Sequence, residues 1–134
     1  MSAPINAETV RAIYSDFLAG NIEGVLNRYS PDALWEFPGA PDVPFAGSGR
    51  GRECVARHFA AVFETVEPIS FEVERMMAQD DAVATFVRVK ARVQATGKIY
   101  ETAMANLFIL CEGIVTRFQT YYDTLPVAEA FREG

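Results

Sequence analysis

The sequence predicts an α+β domain in which helices come first and a meander of antiparallel strands follows. Apolar residues recur at helical spacing over 7–19 and again over 52–66, strand-like segments take over after Pro68, and no segment repeats. With 134 residues, half of them hydrophobic, the chain suits one domain over 1–134 with a single core.

Val10, Ile13, Tyr14, Phe17 and Leu18 form the stripe of a first amphipathic helix, which Gly20-Asn21 stops. Ile22, Val25, Leu26 and Tyr29 suggest a second, short helix, and Ser30-Pro31-Asp32 breaks the chain before an apolar strand at 33–37. Residues 38–51 hold three prolines and four glycines, the composition of a loop long enough to be a lid or rim. A third helix is expected from about Arg52 to Val66, with Val55, Phe59, Val62 and Val66 on one stripe and His58 at its edge.

Then "ISFEVERMM", "AVATFVRVKARVQA", "IYETAMANLFIL" and "IVTRFQTYY" read as four consecutive antiparallel strands, separated by "QDD", "TG" and "CEG". Such strands exceed the usual ~5–6 residues, which implies a strongly bent sheet able to wrap around the helices. A short helix from Val127 to Arg132 is expected to close one end.

Strand parity assigns the faces. In "VATFVRVKARV" the set Val83, Thr85, Val87, Val89, Ala91 and Val93 faces in, because Arg88, Lys90 and Arg92 on the other face go to water. In the last strand Thr116, Phe118, Thr120 and Tyr122 face in by the same reasoning. For 33–37, burying two rings gains roughly 2–3 kcal/mol each, whereas burying an unpaired carboxylate costs several. Trp35 and Phe37 therefore point inward, and Glu36 meets water or a cation such as Arg88, Lys90 or Arg117.

Twelve basic residues against eighteen acidic ones leave a formal charge of −6, which disfavours nucleic-acid and anionic-membrane partners. Cys54, Cys111 and the single His58 are too few for a structural zinc site, so no metal or other cofactor is expected and the cysteines read as reduced packing thiols. The start "MSAPINAETV" lacks a signal-peptide layout, and no apolar run is long enough to span a membrane; a cytoplasmic protein is expected.

The run "VRAIYSDFLAGNIEGVLNRYSPDALWEFPGAPDVPFAGSGRGRECVARHF", followed by the meander and "TRFQTYYDT", resembles the SnoaL-like proteins of the nuclear transport factor two-like superfamily. Ketosteroid isomerase, limonene-epoxide hydrolase, scytalone dehydratase and polyketide cyclases share that superfamily. The resemblance runs from about Val10 to Phe131, and its markers are "FLAGN", "GRGRE" and the terminal "YYD". It implies a cone, a curved mixed or antiparallel sheet wrapped around three helices, with an apolar cavity open at one end and commonly a homodimer.

The relatives' catalytic carboxylates do not carry over. The hydrolase positions are Val87, Val89 and Thr120 here, with Trp35 and Phe37 in place of a Tyr and an Asn. The isomerase base position is Phe37, its second Asp is approximately Asn106, and Tyr14 lies about one residue from the helix tyrosine. Polyketide cyclases of this kind use a His and Asp pair for aldol chemistry, and their Asp has no assigned position here.

His58 is the one side chain whose ordinary pKa lies near neutrality, which suits acid or base work; a packing role is the competing reading. Tyr14 and Asn106 could polarise a ligand carbonyl. Trp35, Phe37, Phe59, Val87, Val89, Phe118, Thr120 and Tyr122 would form a ligand-binding wall, or simply core. Asp16 is expected at the surface, Asp123 to anchor a turn, and Cys54 to pack.

The expected function is to hold a small apolar carbonyl compound, with proton transfer in an isomerase, cyclase or lyase step if the protein is catalytic. The alternatives are a non-catalytic binding module and a protein-interaction domain with a collapsed cavity.

Overall fold

The structure, a computed structural model, describes residues 2–133. Helix α1 spans Ser2–Leu18 and buries Val10 and Ile13. It stops at Gly20, whose φ of 77° favours a residue without a side chain. Asn21 caps α2 (Ile22–Leu26), its side chain accepting the amide of Gly24 at 3.1 Å.

Strand β1 (Tyr29–Phe37) begins earlier than expected. Tyr29 belongs to it, pairing with Val115, and the Ser30-Pro31-Asp32 break is an irregularity in the strand between Tyr29 and Leu34. The expected loop also holds a short strand, β2 (Gly47–Arg50), paired with Leu34 to Phe37. Its glycines masked it. A Cβ on Gly49 would lie 2.6 Å from the Cys54 sulfur, so the missing side chain is what lets β2 approach the next helix.

Helix α3 (Arg52–Thr65) runs directly into β3 (Val66–Gln79). Val66, expected to end the helix, therefore opens the strand, three residues before the predicted start at Ile69, and Pro68 lies within it. Proline is tolerated because β3 is the last strand of the sheet. Strands β4 (Ala82–Val93), β5 (Ile99–Cys111) and β6 (Ile114–Tyr122) complete the meander, and α4 (Thr124–Phe131) follows, starting three residues ahead of expectation.

The six strands form one sheet in the order β2-β1-β6-β5-β4-β3, antiparallel throughout except for β1 with β6. The parity assignments hold except at Thr116: an irregularity between Ile109 and Leu110 lets Val115 pair with Leu110, and Val115 is buried in its place. Val83, Thr85, Val87, Ala91 and Val93 are buried on the face toward the helices, while Phe86, Arg88 and Arg92 are exposed on the other. Trp35 and Phe37 are buried, and Glu36 lies 3.6 Å from Arg117 on the outer face. Among the described residues no helix is long and apolar enough to cross a membrane.

Candidate functional site

The inner face of the sheet and the helices enclose a cavity of about 380 Å³. Every second residue of β5 from Tyr100 to Phe108 lines it, so the space follows about 27 Å of strand at ~3.4 Å per residue. Leu18, Phe63 and Ile69 stand at its mouth with 60%, 43% and 43% of their surface exposed, an apolar rim continuous with the wall. Among the described residues no Asp, Glu, Lys or Arg lines the cavity.

His58 comes from α3 and is buried, with 8% of its surface exposed. Its Nδ1 lies 2.9 Å from the carbonyl oxygen of Phe45. A carbonyl can only accept, so Nδ1 carries the proton and Nε2 presents a lone pair that no described residue engages. The ring sits among Phe37, Trp35 and Phe59, with centroids at 4.4, 4.8 and 5.0 Å. Burial among these rings lowers its pKa from 6.5 to about 4, an effect that the Phe45 bond only partly opposes. The imidazole is therefore neutral at ordinary pH.

A polar row crosses the inner face. Thr85 of β4 pairs with Asn106 of β5, and Asn106 pairs with Thr120 of β6. Tyr14 reaches down from α1 onto this row. Its hydroxyl accepts from Asn106 Nδ2 at 3.0 Å and lies 2.7 Å from Thr85 Oγ1. If Thr85 donates, the Tyr14 proton is free to point at a ligand. Burial raises the Tyr14 pKa, and the bonds from Thr85 and Asn106 partly offset that. Asn106 Oδ1 and Thr120 Oγ1 are buried with no hydrogen-bond partner among the described residues, an acceptor and a potential donor on neighbouring strands.

Three more tyrosines face the cavity. Tyr122 donates to the carbonyl of Pro38 at 2.5 Å, whereas the hydroxyls of Tyr29 and Tyr100 have no partner among the described residues. Burial pushes Tyr100 and Tyr122 up to about 12 and Tyr29 well above its ordinary value, so all stay neutral phenols.

Of the expected site residues, the structure brings Tyr14, Trp35, Phe37, His58, Phe59, Val89, Asn106, Phe118 and Tyr122 together on the cavity wall. Val87 and Thr120 are corrections to that expectation. Both are inward and buried but lie outside the wall, each beside a longer cross-strand neighbour, Met104 or Asn106, that takes the place. Tyr29, Phe45, Tyr100, Thr102 and Phe108 line the cavity without having been singled out. For β5 the signal was available in its alternation; for Tyr29 the helical reading concealed it.

The other candidates are structural. Asp16 is partly buried rather than at the surface and pairs with Arg28 at 3.3 Å. Asp123 caps α4 by accepting the Leu125 amide. Cys54 packs against β2. A cavity of this volume does not fit the collapsed-cavity alternative.

Comparison with known proteins agrees with this architecture. The chain is similar to the crystal structure of an NTF2-like protein from Burkholderia xenovorans, with 26% identity and a TM-score of 0.87 over 98% of this chain and 99% of that one. TerC, co-crystallized with polyporic acid, superimposes with a TM-score of 0.84 at 22% identity, over 95% and 98% of the two chains. A protein from Catenulispora acidiphila with a ketosteroid isomerase-like fold, in complex with trimethylamine, gives 0.77 at 16% identity over 95% and 94%. No curated protein matches the sequence. The SnoaL-like domain matches residues 10–118, most of the chain and all of the cavity-lining strands but the end of the last, and the protein belongs to that family.

Proposed function

We propose that this protein binds a small apolar carbonyl compound in its cone and, where the compound carries an acidic C–H or O–H, moves a proton with His58 in an isomerase, cyclase or lyase step. The observation that carries this reading is the unpartnered Nε2 of a neutral imidazole on the wall of a mainly apolar cavity of about 380 Å³. Tyr14, held by Asn106, supplies the hydrogen-bond donor for the carbonyl. An imidazole with a pKa of about 4 is a weak base in the empty cavity. It becomes an effective one only when charge developing on the ligand oxygen pairs with the imidazolium as it forms.

The absence of any carboxylate from the wall among the described residues favours a second reading, a binding module that holds its ligand unchanged. A thermal-shift screen against steroids, aromatic polyketides and monoterpenes, followed by mass analysis and chromatography of each stabilising compound, separates the two. A compound that stabilises the protein and returns altered supports proton transfer, provided that His58→Phe abolishes the change. Unaltered return supports the module.

A homodimer is part of the proposal. Met77, Phe86 and Tyr121 are exposed on the outer sheet face, the last two in one row across Ala105. Light scattering showing a monomer at micromolar concentration would remove that part.

A further inference from the structure

The cavity's polar groups are all uncharged, and that selects among ligands. One titratable side chain faces the space from α1 (Tyr14), one from β1 (Tyr29), one from α3 (His58), one from β5 (Tyr100) and one from β6 (Tyr122), and none carries a charge at neutral pH. α2, β2, β3, β4 and α4 contribute no titratable group to the wall. The start of α4, near the cavity through Val127, is already capped by the Asp123 carboxylate, which repels an anion there. An ion entering this space loses its hydration and meets no counter-charge.

The unused hydrogen-bonding capacity is also uneven. His58 Nε2 can only accept, so it rewards a ligand that brings a donor to the aromatic wall formed by Trp35, Phe37 and Phe59. Resting on the ligand-cavity reading above, we propose that the cone admits its ligand only in uncharged form, and that the ligand carries a phenolic or enolic hydroxyl which donates to His58 Nε2. The substrate class is narrowed to neutral aromatic or polycyclic hydroxy compounds; a fatty acid or other carboxylate is excluded in its ionised form.

Four biphenyls of similar length test this against the protein: 4-hydroxybiphenyl, its methyl ether, biphenyl-4-carboxylic acid and biphenyl-4-ylmethylammonium, with dissociation constants from calorimetry. At about pH 7.5 the phenol is expected to bind about a hundredfold more tightly than either ion. On lowering the pH toward the acid's own pKa, binding of the carboxylic acid should strengthen by about tenfold per unit while that of the phenol stays level. The phenol should exceed its methyl ether by roughly tenfold in the wild type and not in His58→Phe.

A carboxylate within a few-fold of the phenol overturns the inference and leaves the ligand-cavity reading standing, and so does an ammonium ion that binds tightest on the aromatic faces. Equal binding of phenol and methyl ether overturns the hydroxyl assignment. Failure of all four to bind removes the ligand-cavity reading itself. The wild-type comparisons decide these points even if His58→Phe does not fold.

Discussion

Acidifying the protein from about pH 7.5 to about pH 5 should cost it stability through one side chain, His58. In the folded chain its pKa is held at about 4 because burial strips water from the imidazolium; in the unfolded chain it returns to 6.5. Between those values the unfolded state binds the extra proton, so the stabilisation is fully present above the unfolded pKa and is lost as pH falls toward the folded one. The difference, 6.5 − 4, is about 2.5 units, a ceiling of about 3 kcal/mol at 1.36 kcal/mol per unit. By about pH 5 some 1.5 of those units have been traversed, which is about 2 kcal/mol. Urea unfolding followed through the emission of Trp35, the single tryptophan, measures this in the wild type and in His58→Phe. The other titrating groups are common to both chains, so the wild type should lose about 2 kcal/mol more than the variant. Equal losses would refute the claim that His58 is buried neutral.

Phe37→Asp places a carboxylate among Trp35, His58 and Tyr122 and should destabilise by more than about 3 kcal/mol in urea unfolding; near-neutral stability would mean a wet wall. Tyr14→Phe and Tyr29→Phe remove the same atom from different surroundings. The first strips partners from Thr85 and Asn106 and should cost about 1–2 kcal/mol, while the second loses no protein bond and should stay within about 0.5 kcal/mol by thermal unfolding. Glu36→Gln breaks only a half-exposed pair with Arg117 and should change stability by less than about 1 kcal/mol.

Much of the fold was legible because alternation and helical spacing report directly on which side chains leave water. The valines of β4 and the pair Trp35 and Phe37 were placed correctly on that ground alone. Where backbone geometry rather than burial decides, the sequence misleads. Gly47 and Gly49 read as loop, yet the missing side chain at Gly49 is what lets β2 approach Cys54. Tyr29 fits a helical stripe, but pairing with Val115 draws it into β1.

The site was legible in part. His58, Tyr14 and Asn106 could be nominated as chemistry-bearing residues facing one core. Parity says which way a side chain points and not how far it reaches, so Val87 and Thr120 were expected on a wall that Met104 and Asn106 occupy. The tautomer of His58 depends on the carbonyl of Phe45, in a loop whose path no periodicity encodes.

Because His58 is the only histidine, nitrogen-15 NMR of the untagged protein observes its ring without ambiguity. From about pH 8 down to about pH 5 the account predicts one protonated and one bare nitrogen, with the bare one assigned to Nε2. Adding 4-hydroxybiphenyl should shift the Nε2 resonance as it accepts the ligand's hydrogen bond and leave Nδ1 nearly in place. A protonated Nε2, an imidazolium already formed at about pH 6, or an Nε2 resonance that ignores a bound guest would contradict it.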